Sequence, residues 1–187
     1  MVKNFPKVSY MLRCLGTVAV LVLCVTLAGA AADATSVVVN RQRDMKEIAM
    51  AAKTIAAMFK VPDTYSSATF GEAARMVSER AGRRLTDHFG VIGAAEGSKI
   101  TEALATDHDL FEKLAADLKS YAEVLATAAD EHPNAMTDDM RMNEGEPMEG
   151  GILGSRKKID ASTISAEHAF HMMLQACTSC HSKFRAK

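Results

Sequence analysis

The sequence has no tryptophan, and its seven phenylalanines and three tyrosines bring aromatics to only 5% of 187 residues. No alternating strand pattern, hairpin signal or internal repeat appears, whereas alanine, leucine and twelve methionines favour helix. A sheet protein is therefore excluded, and a core this poor in aromatics leaves room for something large and flat. No excess of positive charge is present, since 22 basic residues face 23 acidic ones, and no basic helix face stands out. That balance argues against nucleic acid. Global disorder is excluded too, because hydrophobic residues at 48% and charged residues at 24% are ordinary globular values. The length suits one domain.

Cysteine is scarce, and two of the four lie in an address label. Lys3, Lys7 and Arg13 precede an apolar run over 15–27, followed by Ala28-Gly29-Ala30-Ala31-Ala32. The run approaches the ~18 residues of a membrane span. Its Ala-x-Ala ending instead marks an export signal cleaved after Ala30 or Ala32. Leu23 before Cys24 speaks against a lipoprotein. The expectation is a signal peptide over 1–32 and a mature periplasmic domain over 33–187, with no membrane span retained. Removing three basic residues leaves 19 against 23 acidic, a net charge of −4. Cys14 and Cys24 leave with the signal, so no disulfide framework remains to be built.

Apolar spacing predicts four helices in the mature chain. The first covers 37–60, with Val38, Met45, Ile48, Ala52, Ile55 and Phe59 on one stripe, and Pro62 stops it. The second covers 67–89 with Phe70, Ala74, Val77, Ala81, Leu85 and His88 in register. After a Gly-rich turn, the third covers 99–130 with Leu104, Phe111, Leu114, Leu118, Tyr121 and Leu125, ending before Pro133. Residues 131–160 read as a long loop. The fourth helix starts near Ser162, with Ser165 as a competing N-cap. It runs to the C-terminus, with Phe170, Met173, Leu174, Cys177, His181 and Phe184 on one side. The expected fold is all-α, an antiparallel four-helix bundle.

The chain ends in C-T-S-C-H-S-K-F-R-A-K. On a helix, Cys177, Cys180 and His181 share the apolar face. Two thiols there can add to the two vinyl groups of a porphyrin, and the adjacent imidazole can reach the iron. Covalently attached haem c on the C-terminal helix is the expected cofactor. A haem-free thiol-redox protein is the alternative of another class, but redox dithiols sit at helix N-termini beside strands. Zinc would need His168 and His171 beside the cysteines, yet nine residues of helix separate His168 from Cys177 by about 13 Å.

This ending resembles the C-terminal haem motif of the class II cytochromes c, the cytochrome c prime family. Arg41-Gln-Arg-Asp-Met45-Lys46 is similar to the family's R-x-x-x-[LM]-K stretch, and the I-A-A-M-F-K run at 55–60 and F-E-K-L-A at 111–115 are similar to further family patches. The resemblance covers most of 37–130 and 162–187, and the loop 131–160 departs from it. It implies a bacterial periplasmic protein, often a homodimer, with haem between the helices and redox proteins as partners.

The resemblance also points to Met45 as the residue opposite His181. In the low-spin branch a Met closes the sixth iron position, which suits single-electron transfer. In the cytochrome c prime branch an apolar residue leaves the iron five-coordinate and open to small gases. With Met45 present, the expectation is an electron carrier, not an enzyme, with His181 and Met45 as iron ligands. The alternative is a gas-binding protein, with Met45 as ordinary core packing. Met50 and Met58 fall off the stripe's best register. Arg41 lies one turn before Met45; it either binds a haem propionate or snorkels to solvent. Arg185 either influences His181 or favours the helix C-terminus as a cation. Met136, Met140, Met142 and Met148 are read as flexible loop residues, with copper as the alternative. His108 falls near the core stripe, where it could approach the haem, while most other histidines are read as surface residues.

Overall fold

Helix α1 covers residues 36–60 and buries Val38, Ile48, Ile55 and Phe59, the stripe that its spacing predicts. The structure is a computed structural model describing residues 36–89, 98–145 and 163–186. Pro62, with no amide proton to donate, opens a 3-10 turn over Pro62–Thr64. Ser66 then caps α2 (Ser67–Arg80), its hydroxyl accepting from the Thr69 amide at 3.4 Å.

The predicted helix over 67–89 is two helices. α2 ends before Gly82, which adopts φ +60° and ψ −138° and donates its N–H to the Ala115 carbonyl at 2.9 Å. Glycine alone enters that region without a Cβ penalty. The short α3 (Arg83–Asp87) follows.

The third helix also starts later than predicted. Residues 99–101 run beside the C-terminus: the Thr101 amide donates to Phe184 O and the Ala186 amide to Lys99 O, each at 3.0 Å. A single antiparallel bridge joins Ile100 to Arg185. One helical turn, α4 (Ala103–Thr106), precedes α5 (His108–Glu131), with non-helical Asp107 between them. α6 spans Ala166–Phe184, and Ser165 is its N-cap, accepting from the His168 amide at 3.2 Å. Ser162 lies outside the described residues, as do the expected signal peptide and residues 146–160 of the loop.

α2 packs on α5 and α5 on α6, while α1 contributes Ile48, Ile55 and Phe59 to the same core. The result is the expected four-helix bundle, with no strand among the described residues. Its few rings are gathered in two groups. Phe59 meets Phe70 edge-on at 5.4 Å and Phe170 at 5.6 Å. Phe111 meets Phe89 at 5.0 Å and Phe184 at 5.4 Å. No described helix is long and apolar enough to cross a membrane.

The described part of the 131–160 loop is tied to the bundle. Tyr65 Oη donates to His132 O at 2.9 Å, Ser67 Oγ to Pro133 O at 3.0 Å, and an Arg141 amino group to Phe59 O at 2.6 Å. A 3-10 turn over Asp138–Met140 places Met140 in the core at 1% exposure. The reading of this methionine as a flexible loop residue is therefore corrected. Met136 packs against the core, its sulfur 3.8 Å from the Arg141 guanidinium. Of the four methionines named for a copper site, Met140 is taken up by packing and Met136 lies beside a cation. Met148 lies outside the described residues.

Candidate functional site

Cys177, Cys180 and His181 emerge from the last two turns of α6 towards a gap between that helix and α1. Two adjoining cavities, of about 510 and 350 Å³, occupy the gap. Both are lined by Met45 from α1, by Leu85, and by Cys180 and His181 from α6. Phe89, Phe111 and Phe184 wall the first, and Leu118, Phe170 and Cys177 the second. Their volumes lie in the range of roughly 300–1,000 Å³ typical of cofactor sites.

The donor chemistry suits a porphyrin attached through sulfur. Both cysteines are free and half-buried. Burial raises both thiol pKa values, and with Cys177 nearby Cys180 is pushed up to about 11. A redox dithiol needs the opposite shift, so this geometry disfavours that alternative. Burial, and then the Arg185 charge, lowers the His181 pKa. The imidazole is thereby kept neutral, the form that can donate a lone pair to a metal. Arg185 thus acts on His181, and it also stands at the C-cap of α6.

Arg41 does not reach for solvent. It is 5% exposed, its Nε donates to His88 O at 2.6 Å, and its guanidinium carbon lies 4.5 Å from the Phe89 ring centroid. It lines the first cavity, and burial lowers its pKa. The snorkelling alternative is overturned, because the 88–89 turn covers this part of α1.

Asp44 is a residue that sequence reasoning missed. It is 1% exposed, with Arg80 Nε at 3.9 Å, Arg84 Nε at 3.8 Å and His88 Nδ1 at 3.5 Å. The available signal was its spacing, three residues after Arg41 on the buried side of the helix. Met58 is buried at 7% despite its off-register position and belongs to the core cluster, whereas Met50 is 53% exposed.

The remaining histidines are placed differently from expectation. His108 is exposed beside Glu112 at 3.8 Å and lines neither cavity, so it does not approach the site. His168 is buried in the first turn of α6 rather than lying at the surface, while His171 is exposed. Neither joins the cysteines, which removes the zinc alternative. Among the described residues, the grouping with metal-ligand spacing is His108, Asp109 and Glu112, all exposed and none of them lining either cavity.

A four-helix bundle with a C-x-x-C-H motif facing an apolar gap defines a class of protein, the bundle cytochromes with covalent haem. The family model described as Cytochrome C' matches residues 36–145, and the chain belongs to that family. Covalently attached haem c, with its iron, is the cofactor of the family. The match ends before the C-x-x-C-H motif, so motif and family match are independent observations. The chain is similar in fold to the cytochrome c' of Thermochromatium tepidum, with TM-score 0.57 and 21% identity over 82% of this chain and 97% of the other. A cytochrome c' described as having an unusual ligand-controlled dimer dissociation gives TM-score 0.57 at 18% identity, covering 82% and 97%. The cytochrome c prime of Shewanella frigidimarina gives 0.54 at 18%, again covering 82% and 97%. No curated protein sequence matches the chain significantly.

Proposed function

We propose that this chain is a periplasmic haem protein of cytochrome c' type, with five-coordinate iron that binds small gases such as NO or CO. Cys177 and Cys180 hold the porphyrin: each S–H adds across one vinyl double bond, sulfur and hydrogen going to its two carbons. His181 is the proximal ligand. Arg41, buried at the first cavity, binds a propionate carboxylate through its guanidinium donors. Bound there, haem supplies a ferrous/ferric couple and an iron face for a diatomic ligand.

The observation carrying this reading is the α1 wall of the two cavities. Beside Met45 it includes Ala49, Ala52 and Ala56 as well as Val38 and Ile48, an apolar lining in which the small alanines offer the thioether no polar group to fix it on a metal. The family model described as Cytochrome C' supports the same reading. A second reading keeps Met45 as the sixth ligand and makes the protein a single-electron carrier. It is favoured by Met45 and His181 lining both cavities together. Neither reading assigns enzymatic turnover.

Absorption spectra of ferric and ferrous protein, for wild type and Met45→Ala, separate the two. High-spin spectra indifferent to the substitution support the gas binder. A low-spin ferric spectrum with a weak red sulfur-to-iron band, lost in Met45→Ala, moves the assignment to the carrier. Cys177→Ala/Cys180→Ala abolishes covalent haem on a denaturing gel; retained haem would overturn the attachment site. One neighbour is described as a dimer dissociating under ligand control. We extend dimerisation to this chain, and sedimentation velocity with and without CO tests it.

A further inference from the structure

Elsewhere on the bundle most basic side chains meet a carboxylate. Arg75 meets Asp130, Arg80 meets Glu47, Arg83 meets Asp87, and Lys119 meets Glu123. The mouth of the paired cavities is different. Lys46, Lys99 and Arg185 line the first cavity and Lys53 the second; all four are exposed, and none meets a carboxylate among the described residues. Among the described residues, no aspartate or glutamate lines either cavity. Arg43 and Lys60, further cations of α1 without a carboxylate contact, lie outside the linings.

These cations come from separate elements, and the fold brings them together. Lys46 and Lys53 are on α1, Lys99 precedes α4, and Arg185 follows α6. The Ile100–Arg185 bridge holds the last two side by side. Arg41 lines the same cavity from a buried position, so four exposed cations stand at the mouth. A porphyrin's two propionates would offset two of these charges and leave the opening positive. This concentration belongs to a chain with 22 basic and 23 acidic residues in all.

We propose that the mouth of the cavity is a docking surface for the acidic face of a redox partner protein. A local field of one sign at an apolar opening raises the encounter rate of oppositely charged partners by about 10–10³-fold, and salt removes the gain. Cations without a carboxylate contact among the described residues present uncompensated charge to such a partner, whereas the charges of Arg75, Arg80, Arg83 and Lys119 are offset by a neighbour. The inference rests on haem filling the cavity, and it holds for either ligation reading. On docking, one electron passes from the ferrous protein to the partner, or from the partner to the ferric protein.

Two measurements on the holoprotein test it, after covalent haem content shows that attachment is intact. In the first, hexacyanochromate(III), a paramagnetic trianion, is titrated into the ferrous, CO-bound protein while amide signals are followed. Broadening centred on residues 46, 99 and 185 and abolished in roughly 0.5 M salt is expected. Uniform broadening, or broadening centred elsewhere, overturns the proposal. In the second, the ferrous protein is oxidised by ferricyanide or by tris(phenanthroline)cobalt(III). Lys46→Glu/Lys99→Glu should slow the anionic oxidant about tenfold at low ionic strength and speed the cationic one. Equal effects on both oxidants would overturn the proposal. Loss of haem in the variant would instead count against the haem site itself. Lys46→Gln/Lys99→Gln, which removes charge without reversing it, then tests the docking surface through the same ratio of rates.

Discussion

Asp44 and His88 face each other across the α1–α3 junction, with the Asp44 carboxylate 3.5 Å from His88 Nδ1 and neither Asp44 Oδ1 nor His88 Nδ1 engaged in a hydrogen bond. Both are coupled to the cavity wall. Asp44 immediately precedes Met45, and the carbonyl of His88 receives Arg41. The carboxylate is held by charge rather than by directed hydrogen bonds, with Arg80 and Arg84 at 3.9 and 3.8 Å.

Asp44→Asn is expected to destabilise the fold by about 1–3 kcal/mol. Each guanidinium contributes roughly 4 kcal/mol of attraction near 4 Å at an effective dielectric of 20. Two of them outweigh the several kcal/mol of desolvation that a buried carboxylate costs. Urea unfolding of the two holoproteins measures the difference, and an unchanged midpoint would show that desolvation cancels the attraction.

Gly82→Ala should cost about 1–3 kcal/mol, the strain of a side chain held at φ +60°, ψ −138°. The added Cβ would also meet Lys119 Cδ at 3.0 Å, although that long side chain can move away. Thermal unfolding reads the loss. A variant as stable as wild type would mean that the α2–α3 break can straighten into one helix.

Met140→Ala tests whether the 132–145 segment is part of the core. Truncating a methionine at 1% exposure should cost about 2–5 kcal/mol. A loop methionine would cost almost nothing, so denaturant unfolding distinguishes the two directly.

The thiols of haem-free protein should resist alkylation at neutral pH. Burial raises the Cys180 pKa from 9.0 to about 11, so the protonated thiol persists and its thiolate grows only as pH climbs towards that value. Two pH units correspond to about a hundredfold less thiolate than in an ordinary cysteine. Iodoacetamide labelling at pH 7, followed by intact mass, should therefore be far slower without urea than with it. Equal rates would show that the cysteines are not shielded.

Much of the protein was legible in its residue order. The C-x-x-C-H spacing puts two sulfurs and an imidazole on one helix face whatever surrounds them, because helical geometry is local. The stripes through Val38, Ile48 and Ile55 and through Phe111, Leu118 and Leu125 fixed two of the buried faces for the same reason. Scarce aromatics and absent strand patterns led to a helical bundle with space for a flat group.

Other features depended on contacts between distant segments. Gly82 breaks a helix that its stripe would have continued, since its amide finds Ala115 on another helix. Met140 reads as a loop residue until Tyr65, Ser67 and Arg141 tie its segment to the bundle. Arg41 and Asp44 are charged side chains in an amphipathic helix, and only the arrival of α2, α3 and the 88–89 turn buries them. Periodicity specifies which face of a helix turns inward. What that face meets, and so which charges are buried and which stay free around the cavity, is decided by packing between helices, where electrostatic energy depends on distance in space rather than along the chain.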